Sequence, residues 1–136
     1  MRKNGFTMIE LVFVIVVLGI LAAIAIPRLA ATRTDAVIAK GRSDVASIRS
    51  AIISERQRRL IKGETNFATS LDGGGKLFGA VLTYGIPSST KEGHWSGTNP
   101  TYYFHVQGNN IKFTYDKDKG TFDCDHTNTY CKKLTE

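Results

Sequence analysis

Catalytic hardware is what this 136-residue chain has least of. Its three histidines, His94, His105 and His126, share no metal-ligand spacing with one another or with the two cysteines. No nucleophile stands in a pattern with a base, and no cofactor fingerprint is present. The glycine run of "SLDGGGKLFG", Ser70 to Gly79, invites a phosphate-loop reading. That motif needs Gly, four residues, then Gly-Lys-Ser/Thr, whereas this chain has Ser70 at the first position and Leu77 at the last. The stretch reads instead as a flexible connection. "PSSTKEGHWSGTNP", Pro87 to Pro100, reads as a loop in which Trp95 packs rather than binds. The sequence therefore describes no enzyme, and no cofactor is expected.

Charge is the second shortage, and it is local. From Leu11 to Ile26 no residue is polar or charged. Phe6 to Ile26 is long enough for a helix of roughly 30 Å, the thickness of a bilayer's hydrocarbon core. Only Thr7 and Glu10 interrupt it. A carboxylate at a helix centre costs on the order of 2.5–3.5 kcal/mol to insert, less near an end. An ionisable residue in such a segment is a functional hypothesis with a partner to be named. Arg2 and Lys3 precede the run and supply two of the six net positive charges, which places the N-terminus on the cytoplasmic side. The remaining +4 (6 − 2) is a solvated basic surface, and nucleic acid is not an expected partner. An ordinary signal peptide fits the same residues. Ala23-Ile24-Ala25 offers a small-x-small site, and cleavage after Ala25 would release a soluble secreted binding domain beginning at Ile26.

The stretch "GFTMIELVFVIVVLGILAAIAIP", Gly5 to Pro27, resembles the N-terminus of type IV pilins and type II secretion pseudopilins. The family pattern is a short basic leader ending in Gly, then Phe, then Thr and Glu within a hydrophobic helix. Gly5, Phe6, Thr7 and Glu10 occupy those places, and Gly19 and Pro27 fall where the family has helix-weakening residues. "GRSDVASIRSAI", Gly41 to Ile52, extends the likeness more loosely.

The resemblance implies an α+β, pilin-like fold: a long N-terminal helix, membrane-spanning in its first half, packed on a small C-terminal antiparallel sheet. It implies a leader over residues 1–5, a transmembrane and assembly helix over 6–27, an amphipathic helix over 28–63 and a globular head over 64–136. It also implies that a prepilin peptidase cuts between Gly5 and Phe6 and methylates the new amine. Glu10 of an incoming subunit would then meet the Phe6 amine of a neighbour and set axial register, while the span from Gly19 to Pro27 unwinds on packing. The implied partners are the chain itself, other pilin-like subunits, the peptidase and an inner-membrane assembly platform. The implied course runs from an inner-membrane precursor with a periplasmic head to a periplasmic pseudopilus or an extracellular pilus. The short head and "GRSDVASIRSAI" favour secretion, the cysteine pair favours a pilus, and a pilin acting in DNA uptake or adhesion is a further alternative.

The remaining text is legible from the residues. Ile38, Val45, Ile48 and Ile52 fall on one helical face, and Gly63 offers a stop. "ERQRRLIK", Glu55 to Lys62, complements a helix dipole at its C-terminus. "TYYFHVQ", "IKFTY" and "TFDC" predict three short antiparallel strands. Tyr102, Phe104 and Val106 share one face, as do Ile111, Phe113 and Tyr115, and these faces are natural cover for the helical stripe. Cys124 and Cys131 can pair if the head is exported to an oxidising space. "DKDKG", Asp116 to Gly120, reads as a hairpin turn. Some pseudopilins carry calcium in C-terminal loops, which makes Asp116, Asp118, Asp123 and Asp125 weak candidates. Lys117 and Lys119 alternate with the first two, and no metal is expected.

Overall fold

The structure, a computed structural model, describes residues 4–136. Met1, Arg2 and Lys3, most of the expected leader, lie outside the described residues. The elements are α1 (Met8–Ile61), β1 (Trp95–Thr98), β2 (Thr101–Val106), β3 (Asn109–Asp116), β4 (Thr121–Cys124) and α2 (Thr129–Thr135). The chain divides into two compact units, one up to Asp35 and one over Ala36–Glu136.

The first unit is helical from Met8 onward, and its apolar side chains are exposed throughout. An 18-residue window within α1 reaches a mean hydropathy of 3.1 with none of it buried. Pro27 lies inside α1.

The second unit has a core of helix laid on sheet. Ile38, Val45, Ile48 and Ile52, the stripe read from the sequence, are the buried apolar residues of α1. The four strands form an antiparallel meander in chain order. Burial alternates along β2, so Tyr102, Phe104 and Val106 point inward. Their neighbours in register, Phe113 opposite Tyr102 and Ile111 opposite Phe104, point the same way. Trp95, Phe78 and Phe122 complete an aromatic cluster in which Phe113 and Phe122 stack at 5.0 Å. Aromatic pairs of this kind add about 0.5–1.5 kcal/mol beyond the area they bury. Gln107 and Gly108, both at positive φ, make the two-residue turn between β2 and β3. Gly63, at φ 85°, ends α1 where the sequence placed a stop.

Two expectations are corrected, and one helix absent from the sequence reading is added. The Pro87–Pro100 stretch contains β1, which pairs with β2 from Trp95–Phe104 to Thr98–Thr101. "SGT" has no apolar alternation, so only Trp95 marks a strand there. The C-terminus holds α2, capped by Asn128, whose side-chain oxygen accepts from the Tyr130 amide at 2.8 Å. The glycine-rich stretch is not a flexible connection. Leu71, Leu77 and Phe78 are buried, Gly73 and Lys76 exchange backbone bonds, and Leu77 and Ile86 do the same. The Asp72 carboxylate fixes this segment. It accepts from the Phe78 amide at 3.0 Å, the Asn99 amide at 2.8 Å and the Tyr102 hydroxyl at 2.9 Å. Burial, and then that bond to Asp72, push the Tyr102 hydroxyl far above its ordinary pKa.

Candidate functional site

Asn4 to Thr7 are non-helical and exposed, and α1 begins at Met8. Among the described residues, nothing lies within 4 Å of a Cβ built on Gly5, and Phe6 is 91% exposed. The bond between Gly5 and Phe6 therefore sits in exposed, non-helical chain. Thr7 is the N-cap of α1: its carbonyl accepts the first helical bond, from the Leu11 amide at 3.2 Å. The Thr7 hydroxyl accepts from the Glu10 amide at 3.3 Å, and the Thr7 amide donates to Glu10 Oε2 at 2.9 Å. This reciprocal pair is a capping box, which satisfies two amides left orphaned at a helix start. Glu10 is thereby held at the very beginning of the apolar run, within one residue of the Phe6 nitrogen. A carboxylate offers about four acceptor sites, so the cap leaves room for another donor.

Gly19 and Pro27 both lie within α1, and nothing approaches a Cβ at Gly19 within 4 Å. Cys124 and Cys131 are joined by a disulfide from the end of β4 to α2. Two arginines of α1 clasp this loop from the helix side. Arg42 donates to the Lys133 carbonyl from Nε at 3.0 Å and from Nη2 at 2.7 Å. Arg49 donates from Nε to the Phe122 carbonyl at 2.9 Å and from Nη2 to Asp123 at 3.0 Å.

The four aspartates do not assemble into a calcium cage. Asp116 accepts from the amides of Asp118 and Lys119 and shapes the β3–β4 turn, as the hairpin reading expects. Asp123 Oδ1 faces Arg49, the Cys124 amide and His126. The Asp125 carboxylate takes the Thr127 amide and hydroxyl, and the amide bond chiefly holds its pKa below the ordinary value. Among the described residues, the one group of three potential metal ligands within 4.8 Å is Asp123, Cys124 and Cys131. Two of its members are spent on each other as a disulfide.

Residues 1–26 match the family model of the prokaryotic N-terminal methylation motif. A 51-residue segment is 49% identical to the type IV narrow pilus major component PilA5 of Thermus thermophilus, covering 38% of this chain and 44% of that protein. A segment of the same length is 41% identical to type II secretion system core protein G of Pectobacterium carotovorum, covering 38% and 33%. Type II secretion system core protein G of Vibrio cholerae aligns over 122 residues at 28% identity, covering 90% of this chain and 77% of that one. The chain carries the methylation motif at its N-terminus and is similar to type II secretion core protein G and to a type IV pilin. Its matches to the first three curated relatives span only 33–44% of their length. No solved structure is significantly similar.

The sequence reading of Glu10 as a carboxylate awaiting an intermolecular partner left out its local partner, Thr7. The signal was present: Thr7-Met8-Ile9-Glu10 is the spacing of a capping box. Arg42 and Arg49 were also passed over. They are spaced seven apart, two turns along the helix, and that spacing alone does not say that main-chain carbonyls wait opposite. In "ERQRRLIK" the arginines are largely paired: Arg58 with Glu55 at 2.5 Å, Arg59 with Glu64 at 2.8 Å, and Arg56 over the Phe67 ring at 4.0 Å.

Proposed function

We propose that this chain is a structural subunit of a type II secretion pseudopilus or a type IV pilus. It polymerises through α1 after a prepilin peptidase cuts between Gly5 and Phe6 and methylates the Phe6 amine. The observation that carries this is an apolar, fully exposed helical run whose one carboxylate sits at its mouth, three residues after an unwound Gly5–Phe6–Thr7. Cleavage creates an ammonium at the same depth as Glu10. An unpaired charge is costly in low dielectric, and removing one partner of a pair there strands the other. Pairing Glu10 with the Phe6 amine of a neighbour offsets both costs and fixes register, as one buried polar residue does in a coiled coil.

The precursor would sit in the inner membrane with its folded part in the periplasm. Its partners are other copies, other pilin-like subunits, the peptidase and an assembly platform. Its work is assembly rather than catalysis. The alignment that reaches 90% of the chain is to a secretion protein, which supports the pseudopilus side. Ordinary signal cleavage after Ala25 has less support, because α1 runs through Ala25 and Ile26 without a break. Glu10→Ala is expected to be processed normally and to lower filament yield sharply. A normal filament yield from that variant would sink the pairing.

A further inference from the structure

Two guanidinium groups follow the apolar run closely and, among the described residues, are in no ion pair. Arg28 stands two residues beyond Ile26, and Arg33 five beyond Arg28. Both are exposed, and among the described residues neither has a carboxylate within ion-pair distance. Asp35 is two positions past Arg33, and residues two apart on a helix do not face each other. The Thr32 hydroxyl is turned back onto the Arg28 carbonyl at 2.9 Å, so it does not engage a guanidinium there.

Depth and chemistry say what should meet them. Met8 to Ile26 spans about 28 Å as helix, close to the roughly 30 Å of hydrocarbon in a bilayer. With that stretch in the membrane, Arg28 lies roughly 3 Å past the hydrocarbon edge and Arg33 roughly 10 Å past it. Long basic side chains bury their stems and place their charge at the headgroups from such positions. The two residues lie about 140° apart around the helix, so they face separate lipids rather than one site.

We propose that Arg28 and Arg33 form a basic collar that binds anionic phospholipid headgroups in the leaflet holding the C-terminal end of the apolar run. The collar anchors the unassembled subunit against withdrawal. It rests on the membrane reading above, and it adds the class of lipid and the residues that select it.

The test uses the full chain reconstituted in bilayers with spin-labelled phosphatidylglycerol or phosphatidylcholine. The wild type is expected to hold the anionic lipid more strongly, by about fivefold for each arginine at low ionic strength. High salt should erode that preference. The double variant Arg28→Gln/Arg33→Gln is expected to lose it, and Arg28→Lys/Arg33→Lys to keep it. A preference as large in the Gln variant as in the wild type overturns the proposal. So does a wild type without preference whose self-association weakens in the Gln variant, since the arginines would then face a second copy. If neither lipid shows a protein-bound population, the chain is not in the bilayer, and the membrane reading fails along with the collar.

Discussion

Glycine in the middle of a helix normally costs about 1 kcal/mol relative to alanine, so Gly→Ala there should stabilise. At Gly41 we expect the reverse. A Cβ built on Gly41 meets Leu134 Cδ2 at 2.6 Å and Phe104 Cε1 and Cζ at 2.7 Å. Both side chains are fully buried and cannot swing into solvent. Leu134 belongs to α2, which the Cys124–Cys131 disulfide and the Arg42 bonds to Lys133 hold in place. Overpacking a closed site costs about 1–3 kcal/mol, occasionally more. Contacts of 2.6 and 2.7 Å with buried side chains put this site in the upper half of that range, about 2–3 kcal/mol, so with the propensity gain of about 1 kcal/mol subtracted Gly41→Ala should still destabilise the second unit by about 1–2 kcal/mol. For a unit of this size that lowers Tm by roughly 5–10 °C. The assay is thermal melting of the full chain in detergent, followed by near-ultraviolet circular dichroism of the aromatic cluster around Trp95. Gly19→Ala, where nothing lies within 4 Å, is the control and should leave that transition in place. An unchanged or raised Tm in Gly41→Ala would refute the close approach of α1 to Phe104 and α2.

Replacing both Cys124 and Cys131 with Ala opens a small loop, seven positions from end to end. It should cost about 2.5 kcal/mol, read as a lower urea midpoint. Arg49→Gln loses two part-exposed bonds at β4 and should cost about 1 kcal/mol, with faster amide exchange at Phe122 to Asp125. The Tyr102 hydroxyl titrates above its ordinary value of 10.0, because burial and Asp72 favour its protonated form in the folded state. Its contribution to stability is whole below about pH 10 and falls as pH rises from there. Tyr102→Phe should flatten that alkaline decline in a series of denaturation curves, and an equally steep decline would assign it to other groups.

Period and motif together made much of this molecule legible. The Ile38–Ile52 stripe and the alternation of Tyr102 to Val106 are written at the two spacings that helix and strand impose, and both turned inward as read. The strand β1 was not legible, because Ser96-Gly97-Thr98 is a strand only by virtue of pairing with β2. The order in the 70–86 segment comes from Asp72, whose three donors lie 6, 27 and 30 positions away in sequence. Local composition shows Gly73, Gly74 and Gly75 and hides those donors. Glu10 was conspicuous as a charge among apolar residues, and its bonds to Thr7 were hidden by that same prominence. Their spacing is a cap signal in any soluble helix.

The account depends on an amine appearing at Phe6 beside the Glu10 carboxylate. Mass spectrometry of the native protein's N-terminus tests this directly. The expected product begins at an N-methylated Phe6. A chain that keeps Met1 to Gly5, or one that begins at Ile26, would contradict it.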